Sequence, residues 1–231
     1  MFEYMMTMTA ANRAHYVQHV LVSLANNDNL DKFKLLFGLE PISFEVEKVC
    51  NDVNFMAVSV NKNTSIYGVR KNPYETLKAA FDSGAKYGLY LEDDVELSND
   101  AVDLALWYFD KSTEEGFSDK YLCLNLYNHE SLGAGDPAAV IASEKFSALG
   151  MGITKEQWEK YFQPLWFTDP RGWDFCFSDA ISKGLKVIQP EVSRSKHIGR
   201  FGGVHYRANM HDHLYINNQM WNGKKQEYFL K

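Results

Sequence analysis

Three successive carboxylates, Glu92, Asp93 and Asp94, follow the apolar run 86–91 (KYGLYL) without a break. Adjacent carboxylates repel one another, so one of them tends to hold its proton unless a cation relieves the conflict. Hard oxygen ligands suit Mn2+ or Mg2+, ions that take one or two protein carboxylates and complete their shells with water and substrate phosphates. The chemistry on offer is a divalent cation held against a nucleotide diphosphate. The plainer alternative is an acidic turn that is merely solvated, with Asp93 or Asp94 bonding nearby backbone amides. A further carboxylate, Asp174, follows the bulky Trp173 and precedes an apolar stretch. Partial desolvation there would raise its proton affinity and suit it to general-base work, and the same position suits a helix N-cap.

Beyond it, Arg194, Lys196, His197, Arg200 and Arg207 concentrate positive or titratable charge in an acidic chain. They offer compensation for a departing diphosphate, or else a solvated basic loop. Gly199, Gly202 and Gly203 among them permit the backbone changes of a closing lid. His205, His211 and His213 are further candidate metal ligands, and the HxH of 211–213 would point both rings one way if extended. Trp166 and Trp173 are candidates to stack on a sugar face, although tryptophans also fill cores.

Strand-like and helix-like runs alternate along the chain, which predicts an α/β fold. Residues 2–8 read as a first strand, and Tyr16, Val17, Val20, Leu21 and Leu24 share one face of a following helix. Residues 33–38 and 54–60 read as the next strands. Asn72, Pro73 and Glu75 predict a capped helix start and Gly84 its end. The acid triplet then closes a strand, and in open α/β sheets the C-terminal strand edge is where ligands bind. Ser98 is the expected cap of the next helix, with an inner face of Val102, Ala105, Leu106 and Phe109. Residues 121–126 read as a strand, Thr154 and Gln157 as a capping box, 175–183 as a helix closed by Gly184, and 191–213 as a long polar loop.

The 231 residues, with a net charge of -6, favour one domain and argue against general attraction to nucleic acid or anionic membrane. Three scattered cysteines cannot form a closed disulfide framework and point to a reducing compartment. Glu3 precedes the first base, the wrong order for a secretory signal, and no apolar run reaches the ~18 residues of a membrane span. The expectation is a soluble, cytoplasmic protein.

The segments LYLEDDVELSND (89–100), FSALGMGITKEQWEKY (146–161) and WDFCFSDAISKGLKVIQPEVSR (173–194), with the Gly/Arg loop after them, occur in an order and spacing that resembles a known family. That family is glycosyltransferase family 13, the catalytic domain of N-acetylglucosaminyltransferase I, and the resemblance spans about residues 2–215. It implies a GT-A fold, a Rossmann-like mixed central sheet flanked by helices, with a flexible C-terminal loop over the donor site. It implies inverting transfer of a GlcNAc-like sugar from a UDP-sugar to a hydroxyl acceptor, such as a glycan, with Mn2+ held mainly by Asp94 and Asp174 as the catalytic base. Glu92 and Asp93 would face the donor's sugar and ribose. The donor-binding set would further include Thr9, Ala10, Asn12 and Arg13 around the end of the first strand, with Glu40 standing where the family has a uracil-reading aspartate. Arg70, Asn72, Gly150 and Trp173 would extend it. Pro190, Glu191, Ser193 and Arg194, and the loop through Arg200 to Tyr206, would order over the diphosphate.

This chain departs from the family at Phe175, where a second acid stands, at Met151, where an aromatic stands, and at Glu40. The resemblance does not extend to the eukaryotic enzymes' membrane anchor and stem, and the expectation is a minimal, soluble catalytic domain. The implied organisation is a single catalytic domain over 1–231, with a nucleotide-binding half at 1–95, an acceptor and catalytic half at 96–215 and a tail at 216–231. Two other readings remain open from the residues: a two-carboxylate glycoside hydrolase using Glu92 or Asp94 with Asp174, and a transferase-like carbohydrate-binding domain without activity.

Overall fold

A computed structural model describes residues 2–202, 208–215 and 217–231. The N-terminal half is built from β1 (Tyr4–Ala10), α1 (Ala14–Ala25), β2 (Phe33–Leu39), α2 (Phe44–Asn51), β3 (Ala57–Lys62), α3 (Gly68–Asp82) and β4 (Tyr87–Glu92). Its four strands run parallel in the order β3-β2-β1-β4. The chain then adds β5 (Val95–Leu97), α4 (Ala101–Lys111), α5 (Phe117–Lys120), β6 (Tyr121–Asn125), β7 (Ala139–Ser143) and β8 (Met151–Thr154). After these come α6 (Lys155–Gln157), α7 (Gln163–Leu165), α8 (Ser178–Ser182), β9 (Lys186–Pro190), β10 (Ser195–His197), α9 (Ala208–Tyr215) and β11 (Phe229–Leu230). Among the described residues the main sheet is nine-stranded and mixed, because β8 enters antiparallel between β4 and β6. β5 and β10 form a separate antiparallel pair.

Strand alternation sorts side chains onto two helical layers. Met6, Met8, Leu89 and Leu91 join α1 and α4 in one buried cluster, whereas Met5 and Tyr90 face α3 and the aromatic segment 158–177 in the other. α3 packs so closely on β2 that a Cβ at Gly38 would collide with Thr76 Oγ1, which accounts for glycine inside that strand.

Several expectations need correction. α3 begins at Gly68 rather than at Asn72, and Pro73 lies inside it. The opening N–H groups of Tyr67 and Gly68 donate to the Glu40 carboxylate at 2.9 and 2.7 Å, so the cap comes from the β2 end. Asn72 is buried and ties the helix to Gly38 O (3.0 Å) and to Asn63 (3.1 Å). Ser98 does not cap α4; it donates to Asp100 Oδ1 at 2.7 Å, while the Val102 N–H is met by Asn27 Oδ1 at 3.0 Å. The stretch 191–213 holds β10 and the helix α9 instead of one long loop. The Thr154–Gln157 capping box forms as read, and Gly84 and Gly184 adopt φ of 98° and 109° just past their helices.

Candidate functional site

The strand order reverses beside β1: the crossover after β1 leads to β2 on one side, while β4 pairs on the other. In open α/β sheets a crevice opens at the strands' C-terminal ends where the order reverses; α1 and α2, which leave β1 and β2, both pack on one layer, and α3 on the other. Arg13, the last residue before α1, and the triplet ending β4 both project from that edge. The Arg13 guanidinium bridges the two aspartates, hydrogen-bonding Asp93 Oδ1 through Nη2 and standing 2.7 Å from Asp94 Oδ2 through Nη1. The second contact lacks hydrogen-bond alignment, and both Arg13 Nη1 and Asp94 Oδ1 are buried without a hydrogen-bond partner. Asp93 and Asp94 are buried and Glu92 half-buried, its Oε1 3.4 Å from the Tyr90 hydroxyl, which in turn lies 3.2 Å from Thr9 Oγ1. Burial, then Asp94, then Asp93 push the Glu92 carboxyl well above the usual range; burial and Asp94 push Asp93 up against the opposing pull of Arg13.

A C-terminal segment walls the crevice. Pairing of β10 with β5 sets His197 opposite Val95, and His197 Nε2 lies 3.6 Å from Asp94 Oδ2. The Ile198 N–H donates to Asp94 O at 2.9 Å, and Gly199 packs so tightly that a Cβ would collide with the Asp94 carboxylate. The Phe201 N–H donates to Tyr16 Oη at 3.0 Å, and Gly202 (φ 73°) lies over the Arg13 stem. α9 backs this wall: the Tyr215 ring stacks on His197 at 4.6 Å, and His211 Nε2 lies 3.2 Å from His197 O. Arg200 fastens the wall to α9 through Asp212 at 2.8 and 2.6 Å.

Thus Thr9, Arg13, Glu92, Asp93 and Asp94 converge, with Asn12 exposed beside them and Ala10 buried, its carbonyl accepting from Glu40 N at 3.0 Å. Gly150 (φ 86°) precedes β8, whose Met151 pairs Tyr90, so it lies at the same sheet edge. Glu40 and Asn72 are spent on the α3 cap and its anchor, as described above. Arg70 is half-buried, donates to Trp166 O at 3.3 Å and covers the Phe167 ring.

Arg194, Ser193, Asp174 and the His211–His213 pair are placed otherwise than expected. Arg194 is wholly buried, its Nε 2.9 Å from Asp100, with further bonds to the carbonyls of Val192 and Pro137, so its guanidinium is not open to a diphosphate. Ser193 is equally buried, its Oγ accepting from Asn128 N at 2.8 Å. Asp174 is exposed rather than partly desolvated, and it makes no side-chain cap. Trp173 packs edge-on against Tyr90 at 5.8 Å and stacks on Trp166 at 4.2 Å; both indoles are buried, whereas Phe175, next to Asp174 in sequence, and Phe167 are exposed. Because 211–213 is helical, His211 is buried and His213 exposed on diverging faces, not aligned as an extended HxH would be. His205, Arg207, Gly203 and Tyr206 lie outside the described residues.

The residue that sequence reasoning assigned only to general positive charge is His197. Its signal was the short SKH run, too polar to read as a strand. Among the described residues, no three His, Cys, Asp or Glu side chains form a closed metal cage. The donor set nevertheless fits a hard divalent cation that draws its remaining ligands from a substrate: Asp94 carries a buried, unsatisfied oxygen, next to an imidazole and a second carboxylate.

No family model matches the chain, and no curated protein matches it. Solved structures do. The Pyrobaculum calidifontis mannosyltransferase PcManGT, in complex with GDP-Man and Mn2+, aligns with TM-score 0.57 and 12% identity over 83% of this chain and 57% of its own. S. aureus TarS 1–349 aligns with TM-score 0.60 and 10% identity over 84% of this chain and 59% of its own, and its complex with UDP gives 0.60 and 12%. The chain therefore spans less than two thirds of these neighbours' lengths, and at such identities the likeness is one of fold: a mixed α/β GT-A glycosyltransferase fold. No helix among the described residues is long and apolar enough to cross a membrane.

Proposed function

We propose that the chain is a metal-dependent, inverting glycosyltransferase that moves a GlcNAc-like sugar from a UDP-sugar to a hydroxyl acceptor, as its resemblance to family 13 implies. The observation that carries this reading is the acid cluster at the β1/β4 crevice: buried carboxylates compensated by Arg13, with an unsatisfied Asp94 oxygen beside His197. The GT-A neighbours that bind nucleotides or nucleotide sugars support it.

Asp94 would hold Mn2+ or Mg2+ with the His197 imidazole beside it. Such a cation, when bound, supplies positive charge against the diphosphate as the sugar–phosphate bond breaks. The chain's own groups do the rest. Arg13 adds a guanidinium at the same edge. Gly199 and Gly202 let the wall approach closely enough to exclude water, which limits donor hydrolysis. Asp174 accepts the proton of the acceptor hydroxyl, whose oxygen attacks the anomeric carbon from the face opposite the diphosphate and inverts it. Its exposure leaves Asp174 ready to meet an incoming acceptor, and the exposed Phe175 ring, 4.6 Å from the Arg171 guanidinium, gives that acceptor an apolar surface.

Release of UDP from a panel of UDP-sugars, each with candidate glycan acceptors and Mn2+, tests the reading. Asp174→Asn is expected to keep UDP affinity within about twofold and lose at least about 100-fold in transfer rate. Full transfer by that variant would remove Asp174 from the mechanism.

A further inference from the structure

The Arg13 guanidinium stands where positive charge is needed by two carboxylates at once, yet it serves them unequally. Its Nη2 makes a hydrogen bond to Asp93, whereas its Nη1 faces Asp94 Oδ2 at 2.7 Å without hydrogen-bond alignment. Nη1 is thus a buried donor without an aligned acceptor, and Asp94 Oδ1, in the same pocket, is a buried acceptor with no donor. Desolvated polar groups left in this state cost stability, and they are spared that cost when a ligand engages them. Asp94 Oδ1 is suited to a cation, and Nη1 to an anion better aligned than Asp94 Oδ2.

We propose that Arg13 is an exchangeable internal cation: a divalent metal ion takes Asp94 from it, and the freed Nη1 edge is then met by the diphosphate, so that metal and nucleotide bind cooperatively. The inference rests on the nucleotide-sugar reading above and deepens it. Its logic is charge balance. Among the described residues, Glu92, Asp93 and Asp94 face one guanidinium, and a divalent ion arriving alone must displace Arg13 from Asp94, leaving two cations crowded in one crevice. A diphosphate arriving alone meets Asp93 and Asp94 with only Arg13 between. Arriving together, the ion neutralises the acids, and the diphosphate neutralises the ion and the arginine. Each ligand therefore removes the other's penalty, which is a coupling free energy and reciprocal by necessity.

The geometry allows a small motion to suffice. Arg13 stays tethered by Asp93, its stem is held between the Tyr16 ring (5.3 Å from the guanidinium carbon) and Gly202, and only the Nη1 edge changes partner.

Mn2+ binding to the intact chain, read from the electron paramagnetic resonance signal of free Mn2+ with and without UDP, tests the exchange. Arg13→Met keeps the apolar stem and removes the charge. It is expected to bind Mn2+ alone more tightly than wild type, by about fivefold or more, and UDP is expected to raise Mn2+ affinity at least about tenfold in wild type but under about threefold in the variant. Arg13→Lys, which keeps a charge but cannot span both aspartates, is expected to fall between, and it carries the test if the methionine variant does not fold. Equal Mn2+ affinity and equal UDP enhancement in variant and wild type would overturn the exchange while leaving the nucleotide-sugar reading intact. Absence of any Mn2+ or UDP binding by wild type would overturn both.

Discussion

Two buried charged groups, Asp94 and Arg194, sit in opposite circumstances, and the difference separates site from scaffold. Arg194 spends its donors inside the fold, on Asp100 and two carbonyls, and Asp100 also receives the Tyr228 hydroxyl at 2.8 Å. Removing one partner of so buried a pair strands the other, so Arg194→Ala should cost about 3–5 kcal/mol of stability. Urea unfolding checks this, and a variant as stable as wild type would return Arg194 to the list of ligand contacts. Asp94, by contrast, keeps an oxygen in reserve. The acid triplet was legible because consecutive carboxylates after an apolar run are costly without a purpose. The distinction between Arg13 and Arg194 was not, since both read as bases in donor-binding motifs and only packing decides which guanidinium reaches the crevice.

At the level of elements, the start of a helix with a local cap could be read, whereas the caps of α3 and α4, helices that were themselves read, come from afar and could not. Thr154 and Gln157 lie three residues apart, and the Gln157 side chain also reaches Tyr108 Oη and Tyr121 O, each at 2.8 Å. Gln157→Ala should therefore remove the box and leave buried groups unpaired, a loss of about 2–3 kcal/mol in denaturant unfolding. A change below about 0.5 kcal/mol would mean water replaces the amide. The starts of α3 and α4 are instead served by Glu40 and Asn27, residues distant in sequence, so Asn72 and Ser98 were mistaken for caps on local pattern alone. β10 escaped notice for a related reason: its polar side chains are buried by β5 and α9 rather than by an apolar face of its own.

Across the whole molecule, the parallel half brings Arg13 and the acid triplet to one edge, and the C-terminal wall closes over them, so residues far apart in sequence share one crevice. The same burial governs alkaline behaviour. Burial pushes the Cys50 thiol up to about 12 and the fully buried Cys123 thiol and Tyr108 phenol well above their ordinary values of 9.0 and 10.0. Such groups stay protonated in the folded state while the unfolded chain releases its protons, so stability holds below pH 9 and falls as pH rises beyond it. Urea midpoints at pH 7.5, 9 and 10.5 are about the range needed to see the decline, and a flat profile would contradict it. The central claim, that the acids closing β4 hold a cation which holds a pyrophosphate, is met most directly by crystals soaked in MnCl2 and UDP. Anomalous density beside Asp94, within reach of His197 and of an ordered diphosphate, is the predicted result; manganese and UDP bound in another cleft, with the Arg13 bridge to Asp93 and Asp94 undisturbed, would contradict it.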